Sequence, residues 1–565
     1  MSDPVDVAIL GGGLAGLCLA LQLKLAEPHR SVTIFERNKH PVPEAAHKVG
    51  ESSVEIGAFY FDTVLGLREH LQNKQIRKFG FRFFFSEGES DLSRVLEIGV
   101  RKPFLMPSYQ IDRGIFENAL GEMALAAGVT FIDGAMVRAV DMSVDDAPHQ
   151  LRYSVDGHDF SASARWMIDA SGRAGFLKRK LDLAEDNGHN ANAVWFRVNY
   201  RIAIDQWSSD AEWSTRCTPP ERWRSTNHLV GKGYWVWLIP LSSGAHSVCI
   251  VADAVTHPID TMDTFEKAMS WFEKYQPRLH QDLLAKVGDP AQPDGLMDFR
   301  YFKDFSYSCK RVFDGKARWA ITGEAGVFAD PYYSPGSDFI AMGNTFITEL
   351  IREDFAGKNV ARKARLYEHT FFTFFRTTMS LYEGQYDLFG DPEVLPIKIL
   401  WDYTYYWGVL TPLFTNQRIT DGAFLSKNSS ALVKSQTLNA VMQPFFREWS
   451  KHSLKRNTAR IIDQHKVEWF GALNEAIGVP MDATALGAYL TTSADLLARL
   501  AAAIAQHANA NAPMLNSTTF KIFMAKFDVS DAPPGEDLLR EFRSFATRGD
   551  HSSQRVNSSP ATRGV

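Results

Sequence analysis

Apolar and polar positions alternate in blocks along the chain, and the first block is the most regular. The run Val5 to Leu10 stops at Gly11-Gly12-Gly13-Leu14-Ala15-Gly16 and gives way to an apolar stretch from Leu17 to Leu25. That order predicts a core strand, a tight turn and a buried helix. A second strand is expected from Ser31 to Phe35, ending in Glu36. His40 to Ser53 reads as a polar loop, and Val54 to Asn73 carries Ile56, Phe59, Tyr60, Val64, Leu65 and Leu71 at helical spacing. Ile76 to Phe85 alternates as one strand, with Lys78 and Arg82 on one face by period two. Met106 to Ile111 is expected to continue that sheet, and Asp112 to cap a helix running from Arg113 through Phe116, Leu120 and Leu125.

Further along, Val129–Ile132, Val137–Met142, Gln150–Val155 and Phe160–Ala164 predict the short strands of an inserted sheet. They lead back to a parallel core at Trp166 to Gly172. From Val194 to Val251 the pattern is again strand-rich around Trp235 to Pro240, which predicts an antiparallel substrate face occupying roughly 180–310. Ala317 to Ile321 reads as a core strand delivering Thr322-Gly323-Glu324-Ala325-Gly326, with a loop over 328–343 and a helix from Thr345 to Phe355. The fold class is therefore α/β: a Rossmann-type core with its inserted antiparallel face over 1–355, and a helical, aromatic-rich region over 356–548. Within that region Tyr403, Tyr405, Tyr406, Trp407 and Phe414 cluster. A buried helix is preferred to a membrane-contacting patch because charges return at Arg418 and Asp421. Helices near 440–472 and 484–509 close the fold, and the polar run 549–565 is expected to be disordered.

Composition narrows the partners. The 565 residues are 45% apolar with a formal net charge of −5, so a large core forms and there is no basic footprint for nucleic acid. Small molecules are the expected partners. Cys18, Cys217, Cys249 and Cys309 lie far apart without a C-x-x-C pair, which argues against a metal cluster or disulfide framework and fits a reducing cytoplasm. Acids at Asp3 and Asp6 in place of a basic leader argue against a signal peptide, and no transmembrane segment is expected.

The glycine turn carries the first chemistry. In a G-x-G-x-x-G fingerprint Gly11 makes the turn, Gly13 lets the backbone approach a pyrophosphate and Gly16 allows close helix packing. The phosphate then sits on the free N–H groups of the helix start. Glu36, twenty residues after Gly16, is placed to accept from a ribose hydroxyl, with Arg37 beside it. The loop ending Lys48-Val49-Gly50-Glu51-Ser52-Ser53 is expected to lie against the same cofactor through Lys48 and Glu51.

Three more segments, Asp112-Arg113, Asp169-Ala170-Ser171-Gly172 and Gly323-Glu324-Ala325 followed by Asp330-Pro331, join the glycine turn in a pattern that resembles the FAD-binding frame of aromatic hydroxylases. The resemblance spans about residues 1 to 355. It implies FAD contacts at Leu14, Ala15, Arg113, Asp169, Gly172, Glu324 and Pro331, with Glu324 standing where the frame usually has Asp. The hexapeptide Trp235-Val236-Trp237-Leu238-Ile239-Pro240 matches W-x-W-x-I-P, and with Lys78 in Ile76-Arg77-Lys78-Phe79-Gly80 it makes the chain similar to flavin-dependent halogenases.

That likeness implies a further set of expectations. Reduced FAD, supplied by a separate flavin reductase since no second G-x-G-x-x-G follows, would drive oxidation of chloride or bromide to hypohalous acid. Lys78 would receive the oxidant, and Trp235 and Trp237 would keep the flavin and an aromatic substrate apart. The substrate, phenolic or not, would arrive free or tethered to a carrier protein. Members of the family hold halide on successive backbone N–H groups of a Ser-Thr-Gly loop; here the loop reads Ser334-Pro335-Gly336-Ser337. Pro335 has no N–H, which leaves Gly336 and Ser337 as the expected anion nest and predicts a weakened or displaced site. The competing enzyme reading is a flavin monooxygenase or oxidase on the same frame. A non-catalytic flavoprotein is disfavoured, because it would leave Lys78 and the tryptophan pair without a task.

Overall fold

The computed structural model describes residues 4–43, 48–143, 147–287, 295–512 and 538–543, so the tail expected over 549–565 lies outside the described residues. Two eight-stranded sheets and a helical layer make up the body. In the first sheet Val5–Leu10 lies between Val32–Glu36 and the inner half of His158–Asp169, all parallel, with Trp319–Ile321 beyond. Strands of such a sheet are covered on both faces and so read as nearly continuous apolar runs. Val7 to Leu10 and Trp166 to Ile168 are accordingly buried.

The long strand His158–Asp169 has two characters. Its outer half is exposed and pairs antiparallel with His149–Val155; its inner half is buried and parallel to the core. The expected inserted sheet is thus continuous with the main one. Met136–Asp141 and His149–Val155 extend it, while Thr130–Asp133 pairs parallel with Val32–Glu36 as a core edge.

The second sheet runs in the order Leu296–Phe302, Ala191–Val198, His246–Asp253, Tyr234–Pro240, Thr226–Gly231, Phe81–Phe84, Leu96–Gly99 and Arg460–Asp463. It therefore draws strands from both sides of the 180–310 segment. Ile76 to Phe85 is not one strand. Ile76–Arg77 pairs with Tyr109–Gln110 in a separate ribbon, Phe81–Phe84 joins the second sheet, and Gly80 with φ of 70° makes the break. Lys78 sits in that break, and Arg82 leaves it for a buried ion cluster with Glu97 and Arg222. The tryptophans of Tyr234–Pro240 share one face by alternation, as expected.

Other elements depart from the sequence reading for local reasons. Val54 to Asn73 is broken into Glu55–Phe59, a wide turn over Tyr60–Val64 and Arg68–Lys74, with Gly66 at φ of 71° between. Asp112 stands at the N-terminus of Arg113–Ala126 but does not cap it; its side chain accepts from the Ser243 amide instead. The helix expected from Thr345 begins at Gly336, because Pro335 takes the N-terminal position with φ of −77° and its carbonyl accepts from Asp338 and Phe339. The stretch 440–472 is not one helix: Ser429–His452 ends there, and Arg460–Asp463 crosses to pair parallel with Leu96–Gly99.

The aromatic segment packs inward. Leu395–Tyr405, a wide turn over Tyr406–Leu410 and Thr411–Thr415 bury Trp401 and Trp407 completely. All four cysteines are free and buried, and no helix among the described residues is long and apolar enough to cross a membrane.

Candidate functional site

A groove of about 810 Å³ runs along the carboxyl ends of the parallel strands, where open α/β sheets bind ligands. Gly11, Gly13, Leu14, Ala15, Glu36 and Arg37 line one stretch of it. Lys48, Arg113, Gly172, Glu324 and Pro331 line the rest. The glycine turn is built as the spacing requires. A Cβ on Gly11 would stand 2.4 Å from the Ala170 carbonyl oxygen and one on Gly16 2.0 Å from that of Gly11, whereas one on Gly13 would meet nothing within 4 Å and enter the groove. The helix Leu14–Ala26 carries no acid in its first turn and no side chain caps it, so its amides stay open to an anion.

Glu36 is pinned beside this turn, accepting from the Gly12 amide at 2.6 Å and from the amide and side chain of Asn38 at 2.8 Å. Arg113 donates to the Val49 carbonyl at 2.6 Å and to Glu117, which Lys48 also reaches. Burial alone would raise the Glu117 carboxyl, yet Arg113 and Lys48 outweigh it and hold the group below its ordinary range. An open helix N-terminus, a cradle at Gly13 and flanking cations fit the diphosphate of a dinucleotide such as FAD.

Two residues expected at the cofactor do not line the groove itself. Asp169 fastens the following turn, accepting from the Ser171 amide at 3.0 Å, the Ser171 hydroxyl at 2.6 Å and the Leu177 amide at 2.6 Å. Glu51 lies not in the groove but in a chamber of about 90 Å³ opening from it.

That chamber is walled by Trp235, Trp237, His228 and the segment Ser334 to Ser337. The Trp237 indole N–H donates to Ser247 Oγ at 3.0 Å, as does that of Trp195 at 2.9 Å. Trp235 donates at 3.4 Å to the Tyr386 hydroxyl, which donates in turn to Asp330; that carboxylate also takes the Tyr332 amide at 2.9 Å and lies 2.9 Å from His189 Nε2. The tryptophan wall is thereby tied to the Asp330-Pro331 loop. Burial, with Lys78 nearby, drives the His228 imidazole down to about 3, so it is neutral.

Gly336 and Ser337 form the first turn of their helix rather than a nest, and neither amide has an acceptor among the described residues. Ser337 Oγ is buried and unpartnered beside them. Two adjacent N–H groups and a hydroxyl at a helix start suit a monovalent anion.

Lys78 lies past this chamber. Its Nζ donates to Ser52 Oγ at 2.9 Å and to the Ser53 carbonyl at 3.3 Å, and sits 3.4 Å from the centroid of the Phe81 ring. Burial pulls its pKa down to about 7 against the fields of Glu55 and Asp338, so amine and ammonium are both accessible near neutrality. Ser52 lines the chamber; Phe81 lines a second, aromatic cavity of about 50 Å³ on the other side. Tyr333, Pro335, Asp338, Tyr403 and Tyr406 also line that cavity, and Pro335 faces both spaces. Asp338 accepts from the Gly57 amide at 2.8 Å and the Tyr406 hydroxyl at 2.7 Å, and burial raises its carboxyl to about 8. Asp402, behind Tyr333, takes that hydroxyl at 2.9 Å and pairs with the buried Lys398.

Sequence reasoning missed His228, Asp338, Asp402 and Tyr386. A lone histidine in a strand and acids within helices carry no spacing signal; only the tertiary contacts reveal them.

Known proteins resemble this chain over much of its length. A family model described as tryptophan halogenase matches residues 97–292, and one described as an NAD(P)-binding Rossmann-like domain matches residues 9–73. The flavin-dependent halogenase chlA of Dictyostelium discoideum is 26% identical over 444 residues, covering 72% of this chain and 70% of its own. A 1H-pyrrole-2-carbonyl-[peptidyl-carrier protein] brominase of Pseudoalteromonas luteoviolacea is 25% identical over 375 residues, covering 63% and 79%. Among solved structures, halogenase PltM in complex with phloroglucinol and FAD shares the fold with a TM-score of 0.60 at 15% identity, covering 90% of this chain and 96% of that one.

Proposed function

We propose that the chain is a flavin-dependent halogenase, which uses reduced FAD, oxygen and chloride or bromide to halogenate a small aromatic substrate. The observation that carries the reading is the seat of Lys78: buried, near its titration point, and set between a chamber that opens on the cofactor groove and an aromatic cavity that does not.

FAD, when bound, supplies the electrons with which oxygen converts halide to hypohalous acid. The chain's residues do the rest. Amides at the Gly11 to Gly16 turn hold the diphosphate, and Glu36, Arg37, Lys48, Arg113, Gly172, Glu324 and Pro331 line its bed. The amides of Gly336 and Ser337 hold the halide. Trp235 and Trp237 keep the substrate from the flavin, so the oxidant travels and the substrate does not. Lys78 receives it, hydrogen-bonding as ammonium or accepting halogen as amine, and faces it toward a ring held among Phe81, Tyr403 and Tyr406.

Residues 1–355 serve in this reading as the flavin- and substrate-binding unit, and side chains between Phe374 and Leu410 of the helical region close the substrate cavity. A separate flavin reductase supplies the reduced cofactor. The pyrrole-carrier brominase among the relatives supports a tethered substrate as one form of delivery, and the aromatic lining of the cavity a free ring as the other. Four free, buried cysteines support a cytoplasmic setting.

The test is product mass after supplying reduced FAD, oxygen and bromide with a panel of phenols, indoles and pyrroles, free and carrier-bound. A bromine isotope pair is expected. A gain of one oxygen without bromine would return the monooxygenase reading.

A further inference from the structure

Oxidising halide in this way has a proton balance: FADH2 + O2 + X− + H+ → FAD + HOX + H2O. Halogenation of the ring, ArH + HOX → ArX + H2O, consumes none and returns none. One proton per turnover must therefore reach a chamber walled by indole rings and a proline-containing loop. Resting on the halogenase reading, we propose that Glu51 is the proton donor of this chamber: its carboxyl O–H gives up the proton that ends in water, and the carboxylate is reloaded from solvent along the open groove.

The geometry singles out this side chain. Glu51 is 2% exposed, lines the chamber rather than the groove, and leaves Oε2 buried without a partner. A buried carboxyl oxygen without a partner destabilises the fold, a cost repaid if the group meets a ligand during turnover. Behind it, Ser247 Oγ already receives the indole N–H groups of Trp195 and Trp237, so its own proton is free for the Glu51 carboxyl. The same hydroxyl thus joins the acid to the tryptophan wall.

Charges face Glu51 from several elements. Arg197 of Ala191–Val198 is held by Asp298, Arg113 by Glu117, and Asp112 adds a like charge at the start of its helix. Glu324, Asp330 and His228 line other walls of the chamber, and Cys249 lies behind. Burial is the largest influence and raises the carboxyl to about 7, so at neutral pH a substantial fraction carries the proton.

Glu51→Gln keeps the shape and removes the acid; Glu51→Asp keeps the acid and shortens its reach. Bromination rate is measured against pH for the parent and both variants, together with the dissociation constant for oxidised FAD. Infrared difference spectra of the FAD-loaded, unreduced protein follow the protonated-carboxyl band through a pH titration. The parent rate is expected to fall as pH rises past about 7; Glu51→Gln should lose on the order of 10²-fold and that pH dependence, with FAD binding unchanged, and Glu51→Asp should regain part of both. A carboxyl band titrating near neutrality should vanish in Glu51→Gln. Parent-like rate and pH profile in Glu51→Gln, or no such band in the parent, would overturn the assignment while leaving the halogenase reading intact. A parent that brominates nothing sinks that reading first.

Discussion

The cofactor groove and the aromatic cavity beyond Lys78 lie within one molecule but are made of opposite materials. The groove, about 810 Å³, is shaped by glycine and backbone amides and edged by Lys48, Arg37 and Arg113. The cavity, about 50 Å³, is closed by rings from four separate stretches of chain, and its acids Asp338 and Asp402 are buried. A site that binds through main-chain N–H groups is fixed by local spacing. A site that works by burial and field is fixed by which distant segments meet. Substitutions should therefore separate the two: changes in the groove should alter cofactor affinity alone, and changes around the cavity should alter what becomes of the oxidant.

The largest effect expected is at Lys78. Lys78→Met should bring halogenation to background while reduced flavin is still oxidised, measured as product formed per flavin consumed in a single turnover. It should also stabilise the protein. The folded-state pKa of about 7 lies below the ordinary lysine value, so the unfolded chain binds more protons between those limits, and the penalty of burying the charge, full below them, fades as pH rises across them. Thermal melts should show the gain from Lys78→Met in full below about pH 7 and shrinking as pH rises toward about 10.4.

Next is the groove. Gly13→Val should fold with an apoprotein melting temperature close to the parent's, since its Cβ meets nothing within 4 Å, yet lose FAD binding by on the order of 100-fold. Gly16→Val should instead lower the melting temperature, because its Cβ would stand 2.0 Å from the Gly11 carbonyl oxygen. Equal behaviour of the two would blur the distinction between shaping the turn and opening it to ligand.

At the border between the two regions, Pro335→Thr adds an N–H beside Gly336 and Ser337. One charge-assisted bond is worth on the order of 1.5–3 kcal/mol, so the half-saturating halide concentration should drop about tenfold to a hundredfold. An unchanged halide dependence would move the anion away from this helix start. The smallest effect is expected from Tyr386→Phe, which takes the partner from the Trp235 indole and one donor from Asp330. A few-fold rise in peroxide released per product formed would mark a loosened wall, with FAD affinity unaltered.

Legibility followed the same division. The strand, turn and helix at Val5 to Ala26, the acid at Glu36 and the paired tryptophans of Tyr234–Pro240 were readable because each depends on neighbours within a few residues. The break at Gly80 was hidden by the alternation around it, and with it the burial of Lys78. Pro335-Gly336 reads as a loop in isolation but starts a helix, because a proline suits the N-terminal edge of a helix as well as a turn. Asp338 and Asp402 carry no signal at all: their weight comes from Tyr406, Gly57, Tyr333 and Lys398, brought from remote parts of the chain.

The parallel pairing of Arg460–Asp463 with Leu96–Gly99 bears on how the protein is made. During synthesis the edge of the second sheet stays bare while most of the remaining chain is translated, since its last strand emerges hundreds of residues after its neighbour. Leu96 to Gly99 is fully buried once that strand arrives, so a nascent or truncated chain presents an apolar edge ready to pair with another copy. Shortened forms that stop before Asp463 should be prone to aggregation on the ribosome's timescale, and production of the enzyme should benefit from slow translation and from chaperones that shield strand edges.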